Sequence, residues 1–480
     1  MPVSNRKRNQ HLLCRAAFGP MLENLASLEH TSQKDLWQLL LTRSNEAPSE
    51  LKGTDVTMEV SAPGITPGAG KALANETKKI LRKQAQEQLK SLNLQWLNEM
   101  IHSQAQLRER MSLFWHGHFA CRINNPALQQ QLLHTIRMNS LGSFGDILKA
   151  VSKSPAMLRF LNNQQNRKQK PNENFAREVM ELFTLGRAAY TEADVKEAAR
   201  AFTGWGFDAG GQFVVRQNQH DTGNKTFLGK SGNFDGDDIL NMLLEQKATA
   251  NFITRKFFRY FVNEEVNESK ITWLSNRFYQ SGYNIKSLLQ DIFTSEWFFN
   301  PENIGTKIKS PIDLIVGIRR YIPMDLNNEA IQLLLQRSLG QVLMNPPNVA
   351  GWPGGKNWID SSTLLLRMQL PKMLMGMSDA DFQPKQDDDQ MMGQGELSAV
   401  SKYRSKITRG IATVDWQPVI ANFEATPRIS LFKAITNSLI QTPGAVDENL
   451  VKPYLDNSSR QTFTRSAIIH LMSTPEYQLS

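Results

Sequence analysis

Two cysteines in 480 residues, Cys14 and Cys121, are too few for a disulfide framework or a four-thiolate zinc site. Both read as small buried residues. Long apolar runs are missing as well: no stretch approaches the roughly 20 apolar residues that cross a bilayer. The basic start, Met1 to Arg8, is followed by no apolar run, and His11 to Phe18 is short, broken by Arg15 and without a small-residue cleavage site. A secretory signal is therefore not expected, and the expected compartment is the cytoplasm. Also absent are a Gly-x-Ser-x-Gly elbow, a phosphate loop, a His-Glu-x-x-His helix and a dinucleotide fingerprint, which argues against those enzyme classes.

Charge is present but dispersed. The formal charge is +9, yet the basic residues come in small groups such as Arg6 to Arg8, Lys78-Lys79 with Arg82-Lys83, and Arg167 to Lys170. A nucleic-acid binder concentrates its charge, so nucleic acid is not an expected partner. An apolar share of 40% fits a folded chain long enough to bury a large core.

Helical signals dominate and predict an all-α fold with one small β-hairpin near residues 210–229. Ser310-Pro311-Ile312-Asp313 is a strong helix start, with a capping hydroxyl, proline at the first helical position and an acid at the positive end. Thr191-Glu192-Ala193-Asp194 resembles a capping box. Helices are also expected over 71–102, 239–262, 271–280, 285–293, 329–343, 428–441 and 462–473. Phe213-Val214-Val215 and Thr226-Phe227-Leu228 read as the arms of the hairpin, with His220 and Asp221 at its bend. Residues 48–70 read as a surface loop. The expected organisation is a main helical domain over 1–376, a linker over 377–397, and a C-terminal helical segment over 398–480 packing on the main domain.

Four stretches place polar groups among bulky apolar ones, where an unpaired polar group is costly. In Phe114-Trp115-His116-Gly117-His118-Phe119, Gly117 is suited to end a helix, which would let His118 fold back towards His116. The pair is a candidate metal or proton-transfer site; the alternative is two histidines capping carbonyls in an aromatic wall. In Asn172 to Glu181 the helix is apolar almost all round, so Glu178 is either a functional carboxylate or a buried ion-pair partner, and Arg177 is a candidate ligand contact. His220-Asp221 with Lys225 could supply a base or an anion contact, or form an ordinary turn. Asn348, Trp352 and Trp358 lie in a stretch rich in proline and glycine; the indoles could form a platform for a sugar ring or plug the core, and the plug is favoured.

Phe114 to Ala120, Asn172 to Gly186, Tyr190 to Trp205, His220 to Gly229 and Pro346 to Ile359 resemble, in the same order, the bacterial family known as domain of unknown function 1800. Arg15 with Phe18-Gly19, and Lys309-Ser310-Pro311, match it too. The resemblance covers nearly the whole chain and implies one mainly helical family unit, with no activity to carry over. Many similar proteins look exported, and Gly117 stands where they often have Asn. Family genes often accompany one resembling a sulfatase-like hydrolase, which is the partner the resemblance suggests.

Two functions of different class follow as expectations. One is a hydrolytic enzyme in which His116, His118, Glu178, His220 and Asp221 converge on a divalent metal or an activated water, the metal being held by His116, His118 and Glu178. The other is a non-catalytic helical protein that binds a partner or a polysaccharide.

Overall fold

The computed structural model describes residues 3–53, 71–376 and 411–480. Of the described residues 62% are helical, and among them are three small two-stranded antiparallel sheets. Helices α1 (Asn5–Ala16), α2 (Gln33–Arg43) and the long α3 (Lys71–His102) precede α4 (Gln106–His118), and α5 (Pro126–Asn139), α6 (Phe144–Ser152) and α7 (Pro155–Phe160) follow it. Helix α8 (Asn174–Glu178) runs directly into a π-turn over Val179–Thr184, then α9 (Glu192–Ala201) leads to the small strands. The series continues with α10 (Gly236–Leu244), α11 (Lys247–Phe261), α12 (Glu268–Gln280), α13 (Ile285–Phe293), α14 (Pro311–Tyr321), α15 (Ala330–Leu339) and α16 (Ser361–Leu374). Two further long helices, Arg428–Leu439 and Arg460–Met472, belong to the last stretch.

The predicted starts hold. Ser310 Oγ accepts from the Asp313 N–H at 3.1 Å while Asp313 accepts from the Ser310 N–H at 3.1 Å, and Thr191 with Asp194 makes the same reciprocal pair. The single helix expected over 239–262 is two: α10 ends at Leu244, and Thr249 donates to the Leu243 carbonyl at 2.6 Å across the break.

The hairpin is also two. β1 (Trp205–Phe207) pairs with β2 (Phe213–Val215), and β3 (Lys225–Phe227) pairs with β4 (Lys230–Gly232). Each run pairs with its nearest neighbour in sequence. Leu228 and Gly229, at φ of 46° and 78°, make the tight turn of the second, a geometry that needs two positive-φ residues. His220 and Asp221 therefore lie between the hairpins and not at a bend. A third pair joins β5 (Met324–Leu326) to β6 (Ala412–Val414).

One hydrophobic cluster runs from Leu12 to Tyr477. The last stretch is tied into it: Gln10 donates to the Asn437 carbonyl, and the Tyr321 and Ser438 hydroxyls meet at 2.6 Å. The linker expected over 377–397 and most of the loop expected over 48–70 lie outside the described residues. Among the described residues no helix is long and apolar enough to cross a membrane. At the centre is α4, every residue of which is buried except Gly117.

Candidate functional site

Helix α4 carries both histidines, and its course decides what they can do. The stop expected at Gly117 does not occur: the helix runs through it to His118. Side chains two apart on a continuous helix face different ways, so the two imidazoles have separate surroundings. The left-handed glycine is instead Gly351, at φ 84°, where a Cβ would come within 2.3 Å of the Gly117 carbonyl oxygen. That close approach docks the loop from Asn348 to Trp358 on the end of α4.

His116 Nε2 accepts from the Met344 N–H at 3.0 Å, its ring lies edge-on to Trp96 and 5.4 Å from Trp352, and burial lowers its pKa to about 4. A ring that accepts from an amide and stays neutral is a structural acceptor. His118 lies on the other side, with Nε2 3.1 Å from the Phe183 carbonyl and Nδ1 3.0 Å from Lys256 Nζ. Lys256 also donates to the Leu182 carbonyl at 3.2 Å, so the two side chains cap the end of the π-turn. Burial, then the Lys256 charge, hold His118 well below the usual histidine range, and burial brings Lys256 down to about 8.

Glu178 is half-buried; burial, with Glu181 nearby, raises its pKa, and no described residue hydrogen-bonds it. Arg177 is held by Glu192 at 2.7 Å and Glu173 at 3.1 Å. His220 Nδ1 meets the Thr203 carbonyl at 2.8 Å. Asp221 receives Arg200 at 2.8 and 3.2 Å, which keeps its carboxyl below the usual range, and also accepts from the Gly223 N–H. Lys225 is buried, donating to the Asp221 carbonyl at 2.6 Å and the Gly223 carbonyl at 3.0 Å. This is a braced turn. Asn348 closes its own turn on the Ala350 N–H. Trp358 is a buried plug, and Trp352 is half-buried against His116.

His116 meets the Met344 loop, His118 the π-turn that Glu178 immediately precedes, and His220 and Asp221 the inter-hairpin turn. Among the described residues no three His, Cys, Asp or Glu stand together as a donor set for a metal ion. The uninterrupted helix at Gly117 turns the two imidazoles to different sides.

Two adjacent residues of α4 open two charge networks that sequence patterns did not single out. Glu109, fully buried, accepts from Arg108 Nε at 3.1 Å, Arg137 at 2.8 and 3.0 Å, and Trp96 Nε1 at 3.0 Å. Arg137 also reaches Glu99 at 3.2 Å and the Ser49 carbonyl at 2.6 Å, and Arg108 donates to the Glu46 carbonyl. Two guanidiniums meet two carboxylates. Arg110 points elsewhere, to Asp313 and, through Nε, to the Arg15 carbonyl at 3.2 Å. Around that pair stand Arg15 and Arg367, both fully buried, with half-buried Lys307 and Lys309. Lys309 donates to the Tyr477 carbonyl at 2.6 Å, and its ammonium lies 3.6 Å from that ring's centre. Burial brings Arg15 to about 9, Arg367 to about 10 and Lys309 to about 8. The available signal was an arginine inside a short apolar run, as in Leu12-Leu13-Cys14-Arg15-Ala16 and Leu364-Leu365-Leu366-Arg367-Met368.

A third feature is an open recess of about 290 Å³ between α11 and α12, lined by Lys247, Asn251, Thr272, Ser275, Asn276 and Tyr279 together with Ala248. Tyr279 is fixed by donating to the Glu245 carbonyl at 3.0 Å. Arg255, paired with Glu268, donates to Asn251 Oδ1 at 2.8 Å, which fixes the amide and leaves its NH₂ to donate.

Comparison with known proteins gives a family and no function. The family model described as "Protein of unknown function (DUF1800)" matches residues 11–479. No curated protein and no solved structure matches the chain.

Proposed function

The chain belongs to the DUF1800 family, whose description assigns no activity, and we propose that it is a non-catalytic helical protein that binds a hydroxyl-rich ligand, a saccharide unit, in the recess between α11 and α12. One observation carries this. The recess is walled by two amides, two hydroxyls, a phenol and an ammonium, and its Asn251 and Tyr279 are held in place by Arg255 and the Glu245 carbonyl. Sugars are recognised by such neutral donors and acceptors set in advance, since each saved rotamer adds to affinity. The volume, about 290 Å³, is at the small end of ligand pockets and suits one ring. Saturation-transfer NMR on the intact protein, with neutral, acidic and amino sugars, tests it. Binding by one class, lost in Asn251→Ala with Asn276→Ala, is expected. No transfer to any of them, or transfer unchanged in that double variant, defeats the proposal.

Hydrolysis is the second reading, and one contact favours it: Lys256, at a pKa of about 8, lies 3.0 Å from His118 Nδ1, a lowered ammonium beside a neutral imidazole. It calls for turnover of phosphate, sulfate or carboxylate esters that disappears in Lys256→Met while the protein stays folded. Absence of turnover across those esters ends it. The sulfatase-like hydrolase suggested as a partner fits the binding reading, in which this chain holds a saccharide for another protein to act on.

A further inference from the structure

We propose that the sugar held between α11 and α12 is an acidic one, a uronic-acid unit with its carboxylate beside Lys247, a ligand class that rests on the saccharide reading and that this reading leaves open.

The lining of the recess is one-sided in charge. Lys247 is in it, and no carboxylate is: the other residues are Ala248, Asn251, Thr272, Ser275, Asn276 and Tyr279. The acids nearest along the two helices are engaged elsewhere, Glu245 with Lys230 and Glu268 with Arg255. Lys247 is exposed, and among the described residues no carboxylate forms an ion pair with it.

The surrounding field has the same sign. Helix α11 carries Lys247, Arg255, Lys256 and Arg259 without an acid, and α12 carries Lys270 and Arg277 with Glu268 alone. Six cations therefore stand against one carboxylate on the helices that build the recess. A concave surface of one sign raises the local concentration of the other. Lys247 and Ala248 are also the first two residues of α11, whose first turn has no acid and whose cap residue, Gln246, makes no side-chain cap bond. The positive end of the helix dipole adds to the ammonium there, and a lysine at that end works against the helix itself.

Geometry selects a carboxylate. Asn251 follows Lys247 by four positions, so the two side chains share a face of α11. Arg255 fixes the Asn251 amide with its NH₂ left to donate. An ammonium and an amide donor thus stand side by side for the two oxygens of one carboxylate, while the hydroxyls of the same ring are left to the other polar residues of the recess. A doubly charged phosphate ester would find no second cation in the lining.

The test is saturation-transfer NMR with competition titration on the intact protein. Glucuronate and galacturonate are compared with glucose and galactose, their neutral parents, at low and at raised ionic strength. Each acid is expected to bind at least about two- to fivefold more tightly than its parent, the size that an exposed ammonium–carboxylate pair gives. The ratio should shrink with salt, fall to about one in Lys247→Met and persist in Lys247→Arg. Equal binding of acid and parent, tighter binding of an amino sugar or a sugar phosphate, or a ratio unchanged in Lys247→Met overturns the acidic class and leaves the saccharide reading standing. Transfer to no sugar at all removes both.

Discussion

Glu109 and Arg110 are neighbours on α4, and each anchors a buried charge network of opposite design. Around Glu109 the count is even and each arginine is satisfied: Arg108 and Arg137 face Glu109 and Glu99, with Trp96 and two carbonyls completing the set. Around Arg110 the carboxylate in direct contact is Asp313, and Nε and one Nη of both Arg15 and Arg367 have no partner among the described residues. A closed network is a structural element whose members hold each other in place. An open one carries a standing electrostatic cost. The difference teaches that buried charge alone says little, and that its completeness decides how much each member contributes to stability.

The sharpest way to break the comparison is to open the closed side. Glu109→Gln leaves buried Arg108 without its carboxylate and Arg137 with Glu99 alone, and is expected to lower stability by about 3–5 kcal/mol in urea unfolding. A loss under about 1 kcal/mol would mean that the even count is coincidental.

Acid comes next in size. His116 is held to a pKa of about 4 by burial, while unfolding returns it to the ordinary 6.5. The unfolded chain therefore takes up the proton first. The contribution is fully present above about pH 6.5 and is lost as pH falls towards 4, by roughly 3 kcal/mol at most. His116→Gln, which keeps an acceptor for the Met344 N–H, should flatten that part of the stability profile between pH 7 and 4. A variant that falls as steeply as the wild type would place the acid sensitivity in His118 or His11, which burial also keeps neutral.

Arg15→Met should behave in the reverse sense to Glu109→Gln. Removing a surplus buried charge and substituting an apolar chain of similar length is expected to leave stability within about 1–2 kcal/mol, or to raise it, in buffer free of oxyanions. Thermal melts of the variant and the wild type measure this. A loss as large as that of Glu109→Gln would show that the idle nitrogens have partners after all.

Much of this frame was legible in the sequence, and the reasons it stopped are local. Capping at Ser310 and Thr191 is written in side chains three residues apart, so the starts of α14 and α9 could be placed. The end of α4 could not, because Gly117 permits a stop without requiring one; the loop that packs on it is more than 200 residues away, at Gly351. His118 as a carbonyl cap was one of two open alternatives, and the carbonyl it meets, on Phe183, belongs to a π-turn that no local pattern announces. The charge surplus around Asp313 gathers residues from α1, α4, α14, α16 and the Lys307–Lys309 segment, so it exists only in the fold. Arg15 and Lys309 were noticed for their family resemblance, not for their surroundings.

The smallest effect is expected at the recess between α11 and α12, and its smallness is informative. Asn276 is exposed, and no described residue hydrogen-bonds its amide, so Asn276→Ala should change stability by no more than about 0.5 kcal/mol. Arg255→Met breaks the pair with Glu268 and frees the Asn251 amide, but the pair is partly exposed and is worth about 1 kcal/mol or less. Both variants should therefore fold, and if the recess binds a saccharide both should bind it more weakly. The second would do so without touching the ligand, by letting Asn251 turn. A structural role for these residues predicts the opposite order, with stability falling and affinity unmoved. Paired melts and saturation-transfer spectra on the two proteins distinguish the cases, because in the charge networks stability and polar contact are coupled and in an open recess they are not.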